Sequence, residues 1–267
     1  MEIQTRSFGE SLSDLVNMLG KVWRPMLLPA LAASVVVGLI SYLVLTATGA
    51  LDFFDLTLNN PEVIQSMPDE ELVELLVDFF MAMIWVGIAS AVVYGFLYLV
   101  AARAVAEEVA TQPSGRSVVA AAFASMLVWI IALAIIAVGT SVGFLLLIIP
   151  GIWFAIGSSM TAPVIAVEGL GPIAAIKRSF DLVKGSWWPT FGFLLLIGLI
   201  GGTASQLIQV VAVPLFLVGS PSIAFGVTIA IGVAVQGLII ASIGVGMAVW
   251  YLSMRAKTDG PFVLQDF

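Results

Sequence analysis

From Ser117 to Val167 the chain is almost uninterrupted apolar residues. A helix crosses a hydrocarbon core of about 30 Å with about 20 residues, so one helix of that run would be about twice too long and the segment has to fold back as a hairpin. Placed beside the other apolar runs, this gives six spans, at about 26–48, 77–100, 118–140, 142–167, 191–213 and 225–254, with the hairpin turn at Thr140 and Ser141. The expected fold is an all-α membrane protein, a six-helix transmembrane bundle forming one integral membrane domain over 1–267. Composition agrees, with 61% hydrophobic and 10% charged residues against about 25% charged in an ordinary soluble domain.

Sorting the few charges by position predicts the topology. Arg6, Lys21 and Arg24 precede the first span, Arg103 and Arg116 lie between the second and third, Lys177, Arg178 and Lys184 lie between the fourth and fifth, and Arg255 and Lys257 close the sixth. The intervening segments 49–76, 140–141 and 214–222 hold no Lys or Arg. Both termini are therefore expected in the cytoplasm, in a multi-pass protein of the cell membrane. The first outer loop is acidic, with Asp52, Asp55, Glu62, Asp69, Glu70, Glu71, Glu74 and Asp78 in or beside it. It reads either as a solvated loop or as a site for a cationic partner.

Two segments have the spacing of helices lying on the inner surface. In 7–22, Phe8, Leu12, Leu15, Leu19 and Val22 recur at intervals of three and four. In 172–185, Ile173, Ile176, Phe180, Val183 and Trp187 do the same, with Lys177, Arg178, Asp181 and Lys184 on the polar side. Lys177, Arg178 and Lys184 beside Trp187 and Trp188 form a candidate headgroup site, and Glu168 is a candidate ion-pair partner for Arg178 or Lys177. Asp-Leu-Val occurs at 14–16 and again at 181–183, each followed by Trp-x-Pro, which suggests an internal repeat.

Within the spans there is no central charge. Gln206, Gln209 and Gln236, with several Ser and Thr, read either as a polar lining or as hydrogen-bonding glue between helices. Ala230, Ala234, Gly237, Ala241, Gly244 and Ala248 form one small-residue seam, matched by Gly87, Ala91 and Gly95 and by Gly198 and Gly202. Such seams build a bundle or a homo-oligomer. Pro150, Gly151 and Pro163 are expected to bend or loosen the fourth span.

His and Cys are both absent, which removes imidazole acid–base catalysis, thiol nucleophiles and zinc sites built on either residue. No cofactor or metal is expected, and the formal charge of −7 argues against nucleic acid as a partner.

One local pattern goes further. Pro150-Gly151, Glu168-Gly169, Ala175 with Ser179, Leu182-Val183 with Gly185, then Trp187-Trp188, resembles the membrane domain of glycerophosphoryl diester phosphodiesterases and the related YciC-like six-span proteins. Tyr251 and Arg255 resemble that family's closing Tyr-x-Asp-x-Arg, with Ser253 in place of the Asp. The resemblance implies the six-span fold rather than an activity. The hydrolase chemistry of such phosphodiesterases uses His and acidic residues on a soluble barrel, and this chain has no His. The expected role is a non-catalytic scaffold, anchor or accessory module linked to lipid or envelope metabolism, with membrane lipids, anionic phospholipid among them, as partners. The alternative is a transporter or channel for a lipid or small amphiphile.

Overall fold

The computed structural model describes residues 8–50, 53, 56, 60–110, 117–212 and 221–260, and the side chains of all of these except 8, 61, 208–212, 221–230 and 233. Among these, every regular element is an α-helix: α1 (Phe8–Ala47), α2 (Pro61–Ser66), α3 (Asp69–Val109), α4 (Val118–Ala124), α5 (Met126–Leu146), α6 (Ile148–Gly157), α7 (Thr161–Glu168), α8 (Pro172–Val183), α9 (Trp187–Ala212) and α10 (Pro221–Asp259). Six helical stretches are long and apolar enough to cross a membrane. The protein is a multi-pass all-α membrane bundle.

Three helices of 39 to 41 residues, α1, α3 and α10, pack on one another. At 1.5 Å per residue each is about 60 Å long, twice the apolar thickness of a bilayer. This changes the reading of 7–22, which is not a separate surface helix but runs straight into the first span. The reason lies in one continuous stripe: Leu15, Met18, Val22, Met26, Ala30 and Ala33 are all buried, so the apolar face is covered by protein and has no need to turn onto lipid. Pro25 and Pro29 sit inside α1 without ending it. Lys21 Nζ, 3.3 Å from Glu108 Oε1, ties the start of α1 to the end of α3.

The small-residue seam of α10 is used within the chain. A Cβ on Gly237 would fall onto Ser34 Oγ and the Ala30 carbonyl of α1, and one on Gly244 would lie 2.9 Å from the Tyr98 ring of α3. Ala241 and Ala248 are buried and Ala234 is half-buried, while the Ala230 side chain lies outside the described residues. Gly95 likewise receives the Trp129 indole, whereas a Cβ on Gly87, Gly198 or Gly202 would meet nothing within 4 Å.

The hairpin turn comes at Leu147, not at Thr140 and Ser141. Leu147 has extended φ and ψ, and its N–H closes α5 on the Gly143 carbonyl at 3.0 Å. Below the turn a Cβ on Gly143 would stand 2.8 Å from Gly151 Cα, so the two backbones meet where neither residue has a side chain. Pro150 is the third residue of α6 and Pro163 the third of α7. Both occupy first turns, where a missing N–H costs little. Pro150 and Gly151 therefore start a helix rather than bend one. The fourth span is interrupted between Gly157 and Thr161, one turn ahead of Pro163.

Burial is concentrated toward the end of the bundle where Lys and Arg gather. Leu97, Leu99, Val100 and Val105 of α3, Thr161 through Val167 of α7, and Tyr251 and Leu252 of α10 are buried. Leu28, Leu39 and Leu43 of α1 and Phe80, Ile84 and Trp85 of α3 are exposed, as expected of side chains that meet acyl chains.

Candidate functional site

The interruption between α6 and α7 leaves helical backbone groups without partners, and α8 supplies them. Met160 N–H donates to Ser179 Oγ at 3.0 Å, and that hydroxyl donates to the Gly157 carbonyl at 2.7 Å. Ser179 and Ala175 are fully buried, and Gly157 is bare where the Phe180 ring lies against it. The spacing of Ala175 and Ser179 thus serves to seat one helix across a broken one. The buried face of α8 is Ala175, Ile176, Ser179, Leu182 and Val183. It is rotated from the stripe expected from hydropathy, and Ile173 is left exposed.

Glu168 ends α7, and Gly169 follows with φ +64°, a left-handed conformation that favours glycine. The turn returns the chain through Pro172 into α8, which brings Arg178 back over Glu168. Arg178 Nε donates to both carboxylate oxygens, at 3.3 and 3.2 Å. Tyr251 of α10 donates its hydroxyl to Glu168 Oε1 at 2.8 Å. Arg255, one turn on, has Nε 3.8 Å from the same oxygen and donates from Nη1 to the Tyr251 oxygen at 3.4 Å. Asp259 Oδ2 completes the cluster, ion-paired with Arg178 and 3.7 Å from Arg255 Nε. Two guanidinium groups therefore face two carboxylates. Burial works against the charge on Arg178, but its hydrogen bond to Asp259 and the charges of Glu168 and Asp259 outweigh that and hold its pKa above the ordinary arginine value.

Of the sequence-predicted partners for Glu168, Arg178 is the one in place and Lys177 is exposed. The closing motif marks Tyr251 but not its partner, and sequence reasoning misses Asp259. Their signal is the spacing 251, 255, 259, one face of a helix at intervals of four. Ser253 is buried, and the α10 carboxylate facing the arginines is Asp259.

Around this cluster the headgroup candidates divide. Lys177, Lys184 and Trp188 are exposed, Arg178 is occupied in the cluster, and Trp187 stacks on Phe191 with ring centroids 5.6 Å apart. Gly185, with φ +79°, ends α8. Ser186 then accepts a hydrogen bond from Lys257 Nζ at 3.0 Å. Below it Thr190 accepts from the Trp250 indole N–H at 3.1 Å, and Phe193 stacks on Trp250 at 4.7 Å. These contacts fix α9 to α10 at the same level as the charged cluster.

The polar residues within the spans act mainly on backbone or on each other. Ser158, Ser159, Thr161 and Ser242 donate to carbonyls three or four residues back, and Ser205 Oγ lies 2.9 Å from the Gly201 carbonyl and 3.1 Å from Gln236 Oε1, its one proton shared between α9 and α10. Gln206 is exposed, and the Gln209 side chain lies outside the described residues. Among the described residues no three carboxylates converge as a metal site requires.

Among the described residues an apolar groove of about 700 Å³ lies between α1, α3 and the α4–α5 junction, running from Arg24 and Ser117 to Val36 and Phe123. Comparison with known proteins adds no relative: no family model, no curated protein and no solved structure matches the chain.

Proposed function

We propose that this is a non-catalytic protein of the cell membrane, a scaffold or accessory module with both termini cytoplasmic, whose cation-bearing end holds anionic lipid. The observation that carries this reading is the seating of α8. The Glu168, Arg178, Tyr251, Arg255 and Asp259 cluster and the Ser179 bonds fix an amphipathic helix against the bundle, and Lys177, Lys184 and Trp188 remain exposed beside it. A helix held in this way presents its cations at one depth, where each is worth about 1 kcal/mol against an anionic surface. The absence of charge at bilayer depth argues against proton or ion coupling. The resemblance to the phosphodiesterase membrane domain and YciC-like proteins belongs to the same proposal, since Glu168-Gly169, Ala175, Ser179, Tyr251 and Arg255 are the residues that assemble this end.

The test is lipid retention after extraction from native membrane. Substituting Lys177→Gln with Lys184→Gln leaves the Arg178 cluster intact and is expected to lower retained anionic lipid about fivefold per cation. Unchanged retention overturns the reading. The second reading, passage of a lipid or amphiphile, is favoured by the groove beside α1, but that groove reaches only partway along the 40-residue helix.

A further inference from the structure

The geometry points to the groove between α1, α3 and α4 as a binding site for one phospholipid with an anionic headgroup. Its lining on α1 runs from Arg24 through Leu28 and Ala32 to Val36. The 12 steps from Arg24 to Val36 are about 18 Å of helix, against about 15 Å for half of a 30 Å hydrocarbon core. The groove is therefore one leaflet deep. Its walls are apolar except at one end, where Arg24 and Ser117 stand. Leu28 and Phe123, on α1 and α4, are 76% and 65% exposed, so the groove is open along its apolar length and not only at its polar end.

Those features select the occupant. An opening at hydrocarbon depth admits acyl chains, and the volume of about 700 Å³ exceeds what a bent side chain or a few trapped waters would fill. The cation at the polar end gives the sign of the headgroup. The Arg24 guanidinium lies 5.6 Å from the Trp23 ring centroid, and Trp23 is itself half exposed. Indole and guanidinium together mark the interfacial level, so a phosphate at Arg24 leaves its chains running down toward Val36. The α8 cations are not part of this site. The proposal rests on the reading of the protein as a lipid binder, but not on Lys177 or Lys184.

The experiment is native mass spectrometry of the full chain, delipidated in detergent and offered phosphatidylglycerol or phosphatidylcholine. In the Lys177→Gln, Lys184→Gln background, which removes lipid held at α8, the expected result is one tightly retained phosphatidylglycerol per chain. Arg24→Gln should cut the preference for phosphatidylglycerol about fivefold, and Ala32→Trp, which fills the groove from an exposed position, should abolish retention of both lipids. Thermal unfolding of each variant verifies that it is folded. If Lys177→Gln with Lys184→Gln removes the retained lipid while Ala32→Trp does not, the lipid sits on α8; the groove proposal then falls and the earlier reading stands. If none of these substitutions changes retention, both fall. A chain that is dimeric through this face, and becomes monomeric with Ala32→Trp without any change in bound lipid, also overturns the groove proposal.

Discussion

Tyr251 donates a 2.8 Å hydrogen bond to Glu168 across 83 residues of sequence, joining the last span to the end of the fourth at the point where α8 begins. Arg178 and Arg255 bear on the same carboxylate from two sides. Glu168 is only 13% exposed, so its charge depends on these partners rather than on water.

The cluster should therefore respond unequally to its members. Tyr251→Phe keeps the packed ring and loses one hydrogen bond to a charged acceptor, about 1.5–3 kcal/mol. Glu168→Ala leaves two arginines facing a vacant position and should cost about 3–5 kcal/mol. Thermal unfolding in one detergent is expected to rank Glu168→Ala well below Tyr251→Phe, and equal or reversed losses would contradict the assignment of Glu168 as the hub.

Ser179 spans the interruption of the fourth span with one bond accepted and one donated. Ser179→Ala retains the volume that Ala175 and Phe180 pack around but leaves a buried N–H and a buried carbonyl without partners, at about 1–3 kcal/mol each. Faster amide exchange at Met160, with the rest of α7 still protected, is the expected signature. Unaltered exchange there would mean that the break is satisfied by other groups.

What is legible in the sequence, and what is not, follows from how far apart the determinants lie. Glu168 and Arg178 are separated by a Gly169 turn and one helix, so their pairing is open to local reasoning. Tyr251 and Arg255 lie on one helical face, but periodicity cannot name a partner in another span. Thr140 and Ser141 suggest a turn because they are the polar residues of that stretch, yet a helix absorbs isolated hydroxyls easily. The real turn at Leu147 follows from the contact of Gly143 with Gly151, an interaction between two helices. The stripe from Leu12 to Val22 reads as lipid-facing because an apolar face does not record whether lipid or protein covers it. Here α3 and α10 cover it.

The two kinds of glycine on the seams make opposite predictions. Gly237→Ala places a methyl group against the Ala30 carbonyl and Ser34 and should destabilise by about 1–3 kcal/mol through overpacking. Gly202→Ala adds a methyl to open space and should be neutral or gain up to about 1 kcal/mol of helix propensity. Parallel melting curves check this directly, and a Gly202→Ala loss matching that of Gly237→Ala would show that α9 is also covered, by a second copy.

A protein without Cys lets each introduced thiol report alone, and three positions together test how the bundle sits in the bilayer. Asp181→Cys on the exposed face of α8 and Glu71→Cys in the first turn of α3 should react with an impermeant maleimide from opposite sides, Asp181 from the cytoplasm. The third position is the hairpin tip. Leu145, Leu146, Leu147, Ile148 and Ile149 are each 68–87% exposed, and five such side chains in water would forgo about 1.5–3 kcal/mol apiece. The 21 residues of α5 rise about 31 Å, the thickness of the hydrocarbon layer, so a tip of this composition is expected to end within lipid. Leu147→Cys should accordingly resist impermeant maleimide from both sides and react with a membrane-soluble one. Ready labelling from the outside would place the tip in water and require another surface to cover it.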